Sequence, residues 1–205
     1  MTKTLSKYNF SITKGSLLPE DSWTICLDYL EIGNWEDSKI ASRKSHEFKN
    51  VKDHTFTTKF GLIKSRVDML PRDLWFEMTE YEDFVHALYL SACLKHKFFG
   101  DLVLEVVREQ YLLLQTTLTE DHFRSFLYKK MDQHPEVEQL KEYTLGKLRQ
   151  NCMRMLSEAD VLVSTRKWII TKPLISNKLA VLISEHNNSY LKYYLLSDHE
   201  IDNLR

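Results

Sequence analysis

The chain has 205 residues, of which 43% are hydrophobic and 28% are charged, so it can bury a core and is not a disordered chain. Its 28 Lys and Arg residues balance 29 Asp and Glu residues, which excludes a uniformly basic nucleic-acid binder but not a locally basic face. With only 5 Gly and 4 Pro, a sandwich or barrel built from many tight turns is not expected.

Membrane segments and cysteine frameworks are also not expected. No apolar run approaches the roughly 20 residues that span a bilayer, and no hydrophobic signal segment follows Met1. Cys26, Cys93 and Cys152 have no zinc-site spacing, and their odd number does not suit a disulfide framework. The sequence therefore predicts a soluble, cytoplasmic protein with reduced cysteines and no contact with a membrane.

The first part of the chain is predicted to be mostly helical. Alternating apolar and polar residues over Tyr8–Thr13 predict an extended arm that packs one side onto the body. A helix is expected from Pro19 to Gly33, since proline favours the first turn and glycine the end of a helix. Apolar spacing then predicts further helices over 35–48, 55–70, 72–78, 84–97 and 102–114.

The second part of the chain combines helices with a change of period. A Thr119 cap followed by two acids predicts a helix to residue 131, and helices are also expected over 137–159 and 178–186. Between the last two, Val161–Val163 and Trp168–Ile170 are short β-branched runs around Ser164–Lys167. This pattern predicts a β-hairpin.

Together these elements predict a fold class and a division of the chain. The class is mainly α: a compact multi-helix protein with a small C-terminal β-hairpin in a winged-helix-like part. Residues 1–116 would form an N-terminal helical part with the extended arm. Residues 117–205 would form a C-terminal helical part with the hairpin wing.

The near-zero net charge hides an uneven distribution. Residues 39–66 hold eight Lys or Arg against two acids, or +6, and residues 141–172 hold seven against three, or +4. Residues 73–109 hold three against eight, or −5. If the two basic segments share a face, they form a positive groove suited to phosphates; the alternative is that each is a solvated helix face.

The predicted hairpin favours the DNA interpretation, because winged-helix domains place a basic helix and a two-stranded wing against DNA. Winged helices also act as protein-interaction modules, so this signal is moderately specific. The candidate phosphate-contacting residues are Arg43, Lys44, Lys49 and Lys52 in the first segment and Lys147, Arg149, Arg166 and Lys167 in the second. Trp168 either stacks on a nucleic acid or anchors the wing to the body.

Motifs for enzymatic chemistry are missing from the sequence. It has no glycine-rich phosphate loop, no HExxH or CxxC motif and no pair of histidines four residues apart. Asp68, Glu77 and Glu80 do not follow a strand, so we interpret them as surface acids rather than a nuclease site. Cys93 and Cys152 lie on apolar helix faces and are expected to be core thiols. No catalytic residue, metal or cofactor is predicted.

A series of short motifs, spread over nearly the whole chain, resembles a known family. They are Phe10–Leu18, Arg66–Pro71 with Leu74 and Trp75, Ala92–Lys95, Gly100–Leu102, Glu105–Arg108, Thr144, Lys147–Leu148 and Leu156–Ala159. Their order and spacing resemble the BrxA family of BREX phage-defence systems, formerly described as inner-membrane proteins. The chain departs from the expected pattern at Asp160, where a helix-ending glycine would fit better.

The resemblance implies a non-enzymatic, mostly helical, cytoplasmic protein that binds double-stranded DNA. BREX systems methylate host DNA at a specific site and block replication of unmodified phage. The protein would be an accessory factor alongside other BREX components, namely the methyltransferase and the ATPase. The alternative is a protein-interaction adaptor within the BREX assembly, which is motivated by the acidic middle and by the aromatic residues Tyr190, Tyr193 and Tyr194.

Overall fold

The computed structural model describes residues 7–78 and 80–203 of the chain, and most of these residues are helical. The α-helices are α1 (Pro19–Ile32), α2 (Trp35–Lys44), α3 (Asp53–Val67), α4 (Arg72–Glu77), α5 (Tyr81–Lys95), α6 (Lys97–Leu102), α7 (Arg108–Leu112), α8 (Glu120–Gln133), α9 (Pro135–Glu138), α10 (Glu142–Glu158), α11 (Asn177–Asn187) and α12 (Asp198–Asp202). Two 3₁₀ helices, Ser11–Lys14 and Asn188–Tyr194, and a π-helical segment, Val103–Val107, complete the set.

Local signals explain where the first helices begin and end. Pro19 occupies the first turn of α1, and two acidic residues follow it. The helix ends at Gly33, whose φ of 87° lies in the left-handed region that glycine adopts without strain. Asn34 then caps α2, because its side chain accepts a hydrogen bond from the amide of Asp37. The predicted helix between Pro19 and Gly33 is confirmed.

Helix α5 lies in the middle of the core. All residues of Phe84–Cys93 are buried, so this helix is covered on every side. The chain leaves helical geometry at His96, where ψ is 82°, and then continues through α6, the π-helical segment and α7. The break that the sequence predicted at Phe98–Asp101 is wrong, because those residues lie inside α6 and the bend falls at His96.

The predicted β-hairpin, and with it the winged-helix part, is wrong. Among the described residues there is no β-strand, only the isolated antiparallel bridges Thr117↔Ile169 and Leu162↔Ile170. Around the second bridge, the Val163 amide bonds to the Ile169 carbonyl and the Thr171 amide to the Val161 carbonyl, but these contacts do not build a strand on either side. The Leu162 amide bonds to the Leu156 carbonyl at the end of α10, and the Ile170 amide bonds to the Thr116 carbonyl. The fold is therefore all-α, and the 161–170 segment is an irregular loop.

The N-terminal arm packs one side onto the body, but not as an extended segment. Tyr8 and Ile12 are buried in the core, while Ser11–Lys14 forms a 3₁₀ helix. Asn151 of α10 donates a hydrogen bond to the Ile12 carbonyl at 2.8 Å. The alternating pattern therefore indicated which residues are buried and missed the local conformation.

One hydrophobic core includes residues from both predicted parts of the chain. Leu88 and Val107 precede residue 116, Leu148 and Ile183 follow it, and all four belong to the same buried cluster. The division of the chain at residue 116 stays a prediction. Among the described residues, no helix is long and apolar enough to cross a bilayer.

The end of α10 shows how the chain accommodates Asp160. This residue takes the left-handed conformation, with a φ of 57°, at the position where a glycine was expected. The Val161 amide bonds back to the Leu156 carbonyl at 2.8 Å, and the Thr171 hydroxyl donates to the Asp160 carbonyl at 2.6 Å. The left-handed turn is thus held by bonds to the backbone, which glycine would keep.

We expect Asp160→Gly to raise the free energy of unfolding by about 1 kcal/mol, because glycine adopts the left-handed region without the strain of a Cβ. Urea unfolding measures the change. Asp160→Ala is the matched variant and should lower the free energy of unfolding instead. A destabilising Asp160→Gly would mean that the carboxylate itself holds the turn.

Candidate functional site

A groove runs between the exposed side of α10 and the loop that follows this helix. We call it the α10 groove. Its volume is about 670 Å³. It is lined by Glu120 of α8, by Gly146, Arg149, Gln150, Met153 and Arg154 of α10, and by Thr165 and Trp168 of the loop. Two arginines and an indole therefore border one open cavity.

Four of the eight predicted phosphate-contacting residues lie in or beside the α10 groove. Arg149 lines it and forms an ion pair with Glu120 at 2.5 Å. Lys147 follows the lining residue Gly146 in α10 and is exposed, with its Nζ 4.7 Å from the centroid of the Tyr143 ring. Arg166 and Lys167 are exposed between the lining residues Thr165 and Trp168. Within the described ranges, Lys147, Arg166 and Lys167 have no ion pair.

Trp168 is held in place by the loop that carries it. Its Nε1 donates to the Thr165 carbonyl at 3.1 Å, and its own carbonyl accepts from the Leu118 amide at 2.8 Å. The side chain is half-buried and packs against the core while also lining the groove. The indole therefore anchors the loop and also presents a surface to the cavity, and its stacking on a nucleic acid stays a prediction.

The other four predicted residues lie on α2 and the connector to α3. Arg43 is engaged within the fold: it pairs with Asp53 at 2.6 Å and donates to the carbonyls of Phe48 and Val51. Its role in the structure is to hold the connector. Lys44, Lys49 and Lys52 are exposed, and none of them has an ion pair in the part of the chain that the structure describes.

The two basic segments, residues 39–66 and 141–172, meet at a pocket that also contains acidic side chains. Lys59 of α3 and Arg154 of α10 line one pocket of about 370 Å³, which Glu20, Asp21 and Glu158 also line. Lys59 pairs with Asp21 at 2.6 Å, and Arg154 pairs with Glu158 at 3.1 Å. Arg43 and Lys44 line a different groove, between α2 and α3.

Arg66 contributed to the charge of the first segment but is buried. Its guanidinium donates to the carbonyls of Gly15, Ser16 and Leu17, and burial lowers its pKa to about 10. Its place on an apolar stripe, between Ile63 and Val67, was the available signal. Arg154, which is not among the eight predicted phosphate-contacting residues, lines the α10 groove from the same helix as Arg149.

The side chains that could ligate a metal, and the cysteines, are placed as follows. Within residues 7–78 and 80–203, no group of three or more His, Cys, Asp or Glu side chains is placed to hold a metal ion. The core position expected for Cys93 and Cys152 is confirmed, and burial raises the pKa of both thiols. Asp68 pairs with Lys64, and Glu77 with Lys178.

Comparison with known proteins adds two findings. The family model described as BrxA matches residues 6–187. Among solved structures, the crystal structure of an uncharacterized protein from Magnetospirillum magneticum is similar, with a TM-score of 0.76 and 20% sequence identity over 93% of this chain and 98% of that chain. At this identity the structural similarity shows the fold alone. No curated protein matches the chain significantly.

Proposed function

Because this chain belongs to the BrxA family, which implies a role in BREX phage defence, we propose that it acts there as a non-enzymatic protein that binds double-stranded DNA. Binding is through phosphate contacts and takes place at the α10 groove and the loop beside it. Family membership also implies association with the BREX system. Direct contacts with the methyltransferase or the ATPase, and the cytoplasmic location, stay predictions.

The observation that carries this proposal is the group of unpaired cations around one groove. Lys147, Arg166 and Lys167 are exposed, and no carboxylate of the described residues neutralises them. Arg149 and Arg154 add two guanidiniums at the lining of the same groove. Such a cluster favours the binding of DNA, because each cation that contacts a phosphate releases condensed counterions. This contribution does not depend on the base sequence.

We expect the triple variant Lys147→Glu, Arg166→Glu, Lys167→Glu to lower the affinity for a short duplex about thirtyfold at 150 mM salt. All three residues are exposed, so the fold should be retained. Fluorescence anisotropy over a salt series measures both affinity and the number of phosphate contacts. Because each contact contributes about 0.9 to the slope of log K against log salt, the slope should fall by about 3.

A matched control changes the charge by the same amount elsewhere. The variant Lys44→Glu, Lys49→Glu, Lys52→Glu reverses three exposed, unpaired lysines of the first basic segment. At 150 mM salt the Debye length is about 8 Å, so these distant reversals should change the affinity less than about threefold. Unchanged duplex binding by the first triple variant would disprove binding at the α10 groove. An equal loss in both triples would mean that the two segments bind DNA together.

A further inference from the structure

Gly146 occupies a position in α10 where packing does not require glycine. It lies inside a helix of 17 residues, where alanine would favour the helical state. Nothing in the described structure lies within 4 Å of the place where its Cβ would be. The residue does line the α10 groove. Because glycine has no side chain, Gly146 leaves the backbone of α10 open to the groove. Glycine has this role where a ligand approaches the backbone closely.

The surfaces around this opening suit a planar aromatic group. The Trp168 indole forms one side and is fixed by its bond to the Thr165 carbonyl, so little side-chain freedom would be lost on stacking. Met153, which is buried, contributes an apolar surface, and Gln150 contributes an exposed amide that can donate and accept. An aromatic face, an apolar surface and an amide are the groups by which proteins hold unstacked nucleobases.

The two arginines of the groove keep donors available for a phosphate. Arg149 uses its Nη1 for Glu120, and Arg154 uses its Nε for Glu158. A guanidinium has five N–H groups, so each of these side chains retains donors while its ion pair stays intact. A phosphate attached to a stacked base therefore has charged partners on the same helix as Gly146.

We propose that the α10 groove holds one unstacked nucleobase of a bound DNA, together with the phosphate next to it. The base stacks on Trp168 and occupies the space that Gly146 leaves open, and Arg149 and Arg154 contact the phosphate. The volume of about 670 Å³ lies within the range of roughly 300–1,000 Å³ found for ligand pockets. This inference rests on the proposed DNA binding and adds a preference for duplexes with an unpaired base.

The test compares three DNA probes by fluorescence anisotropy at 150 mM salt. They are a perfect duplex, the same duplex with one bulged adenine, and the same duplex with a bulged abasic nucleotide, which has the backbone of the bulge without its base. We expect the bulged adenine to bind about tenfold more tightly than the abasic bulge, since stacking on an aromatic side chain favours the base. Free dAMP, added up to 1 mM, should not displace the bulged adenine duplex.

Two variants of the chain test the groove itself. Trp168→Leu removes the stacking surface, and Gly146→Leu fills the opening without changing charge. Both should reduce the tenfold preference for the bulged adenine over the abasic bulge to about one. Gly61→Leu is the matched control, because Gly61 is also an exposed helical glycine with nothing within 4 Å of its Cβ position, and it should retain the preference. Circular dichroism confirms that each variant is folded.

The outcomes separate this inference from the proposed function. Equal affinity for the adenine and abasic bulges, with perfect duplex still bound, would overturn the base site and leave DNA binding in place. Displacement by micromolar dAMP would overturn it as well, since the ligand would then be a free nucleotide. Failure of the wild-type protein to bind any of the three probes would overturn both proposals.

Discussion

Replacing Arg66 with Met is expected to lower the free energy of unfolding by about 3–5 kcal/mol, measured by urea unfolding. The Arg66 side chain is fully buried and donates to the carbonyls of Gly15, Ser16 and Leu17. Methionine has a similar shape but no donor, so these carbonyls would lose partners in a place that water does not reach. The loss is large because several buried acceptors depend on a single side chain.

His96 also contacts the Arg66 guanidinium, and this contact depends on the protonation state of the His96 imidazole. Its Nε2 accepts from the Arg66 Nε at 3.2 Å, which requires a neutral imidazole. Burial and the charges of Arg66 and Lys95 lower the pKa of His96 to about 3, so the ring stays neutral in the folded protein near pH 7. Arg66 therefore joins α3 to the bend before α6 as well as to the segment 15–17 that precedes α1.

Arg124→Met is the control for the Arg66 prediction. Arg124 also lies on a helix and pairs with Asp121 at 3.2 Å, but its side chain is 59% exposed. Its loss should change the free energy of unfolding by less than about 0.5 kcal/mol, as is usual for exposed ion pairs. If Arg66→Met lowered the free energy of unfolding no more than Arg124→Met does, the packing of residues 15–17 would not depend on the Arg66 guanidinium.

Gly100→Ala is expected to lower the free energy of unfolding by about 3 kcal/mol, at the upper end of the usual range for overpacking. A Cβ at this position would lie 2.6 Å from the Cys93 carbonyl oxygen and 3.3 Å from the Tyr193 hydroxyl. The closer atom belongs to the backbone of α5 and cannot rotate away. Either α6 must move from the central helix, or the bend at His96 must open.

Replacing glycine with alanine at an open position should have the opposite effect on the free energy of unfolding. Gly61 is an exposed helical residue of α3 with nothing within 4 Å of its Cβ position. Gly61→Ala is therefore expected to raise the free energy of unfolding by up to about 1 kcal/mol, because alanine favours the helix. Thermal unfolding of the two variants side by side measures the difference. A stable Gly100→Ala protein would show that α5 and α6 can separate at little cost.

The candidate site was only partly predictable from the sequence. Arg149, Arg166 and Lys167 were identified from charge counts; Arg149 lines the α10 groove, and the other two are exposed on the loop that borders it. The same counts included Arg43, which holds a connector, and Arg66, which is buried. A charge count cannot separate these cases, because exposure depends on which distant segment packs over a side chain.

The loop after α10 was also only partly predictable from the sequence. Its β-branched residues predicted a hairpin, and Leu162 does lie opposite Ile170. The Val163 amide bonds to the Ile169 carbonyl and the Thr171 amide to the Val161 carbonyl, so backbone bonds do cross this reversal. The pairing does not continue into strands, and the Ile170 amide bonds to the Thr116 carbonyl, which lies much earlier in the chain. Local propensity therefore identified the reversal of the chain but not the distant segment that packs beside it.

The sequence by itself determined the helix limits at Pro19 and Gly33, the burial of Cys93 and Cys152 and the resemblance to the BrxA family, which the family comparison confirms. Signals of these kinds depend on a few neighbouring residues or on the order of motifs. Only the tertiary structure decided which carbonyls Arg66 bonds to and that Gly146 opens a groove. Arg66 bonds to residues about 50 positions earlier, and the groove needs a helix and a separate loop. Such contacts depend on how distant segments pack together, which no local pattern records.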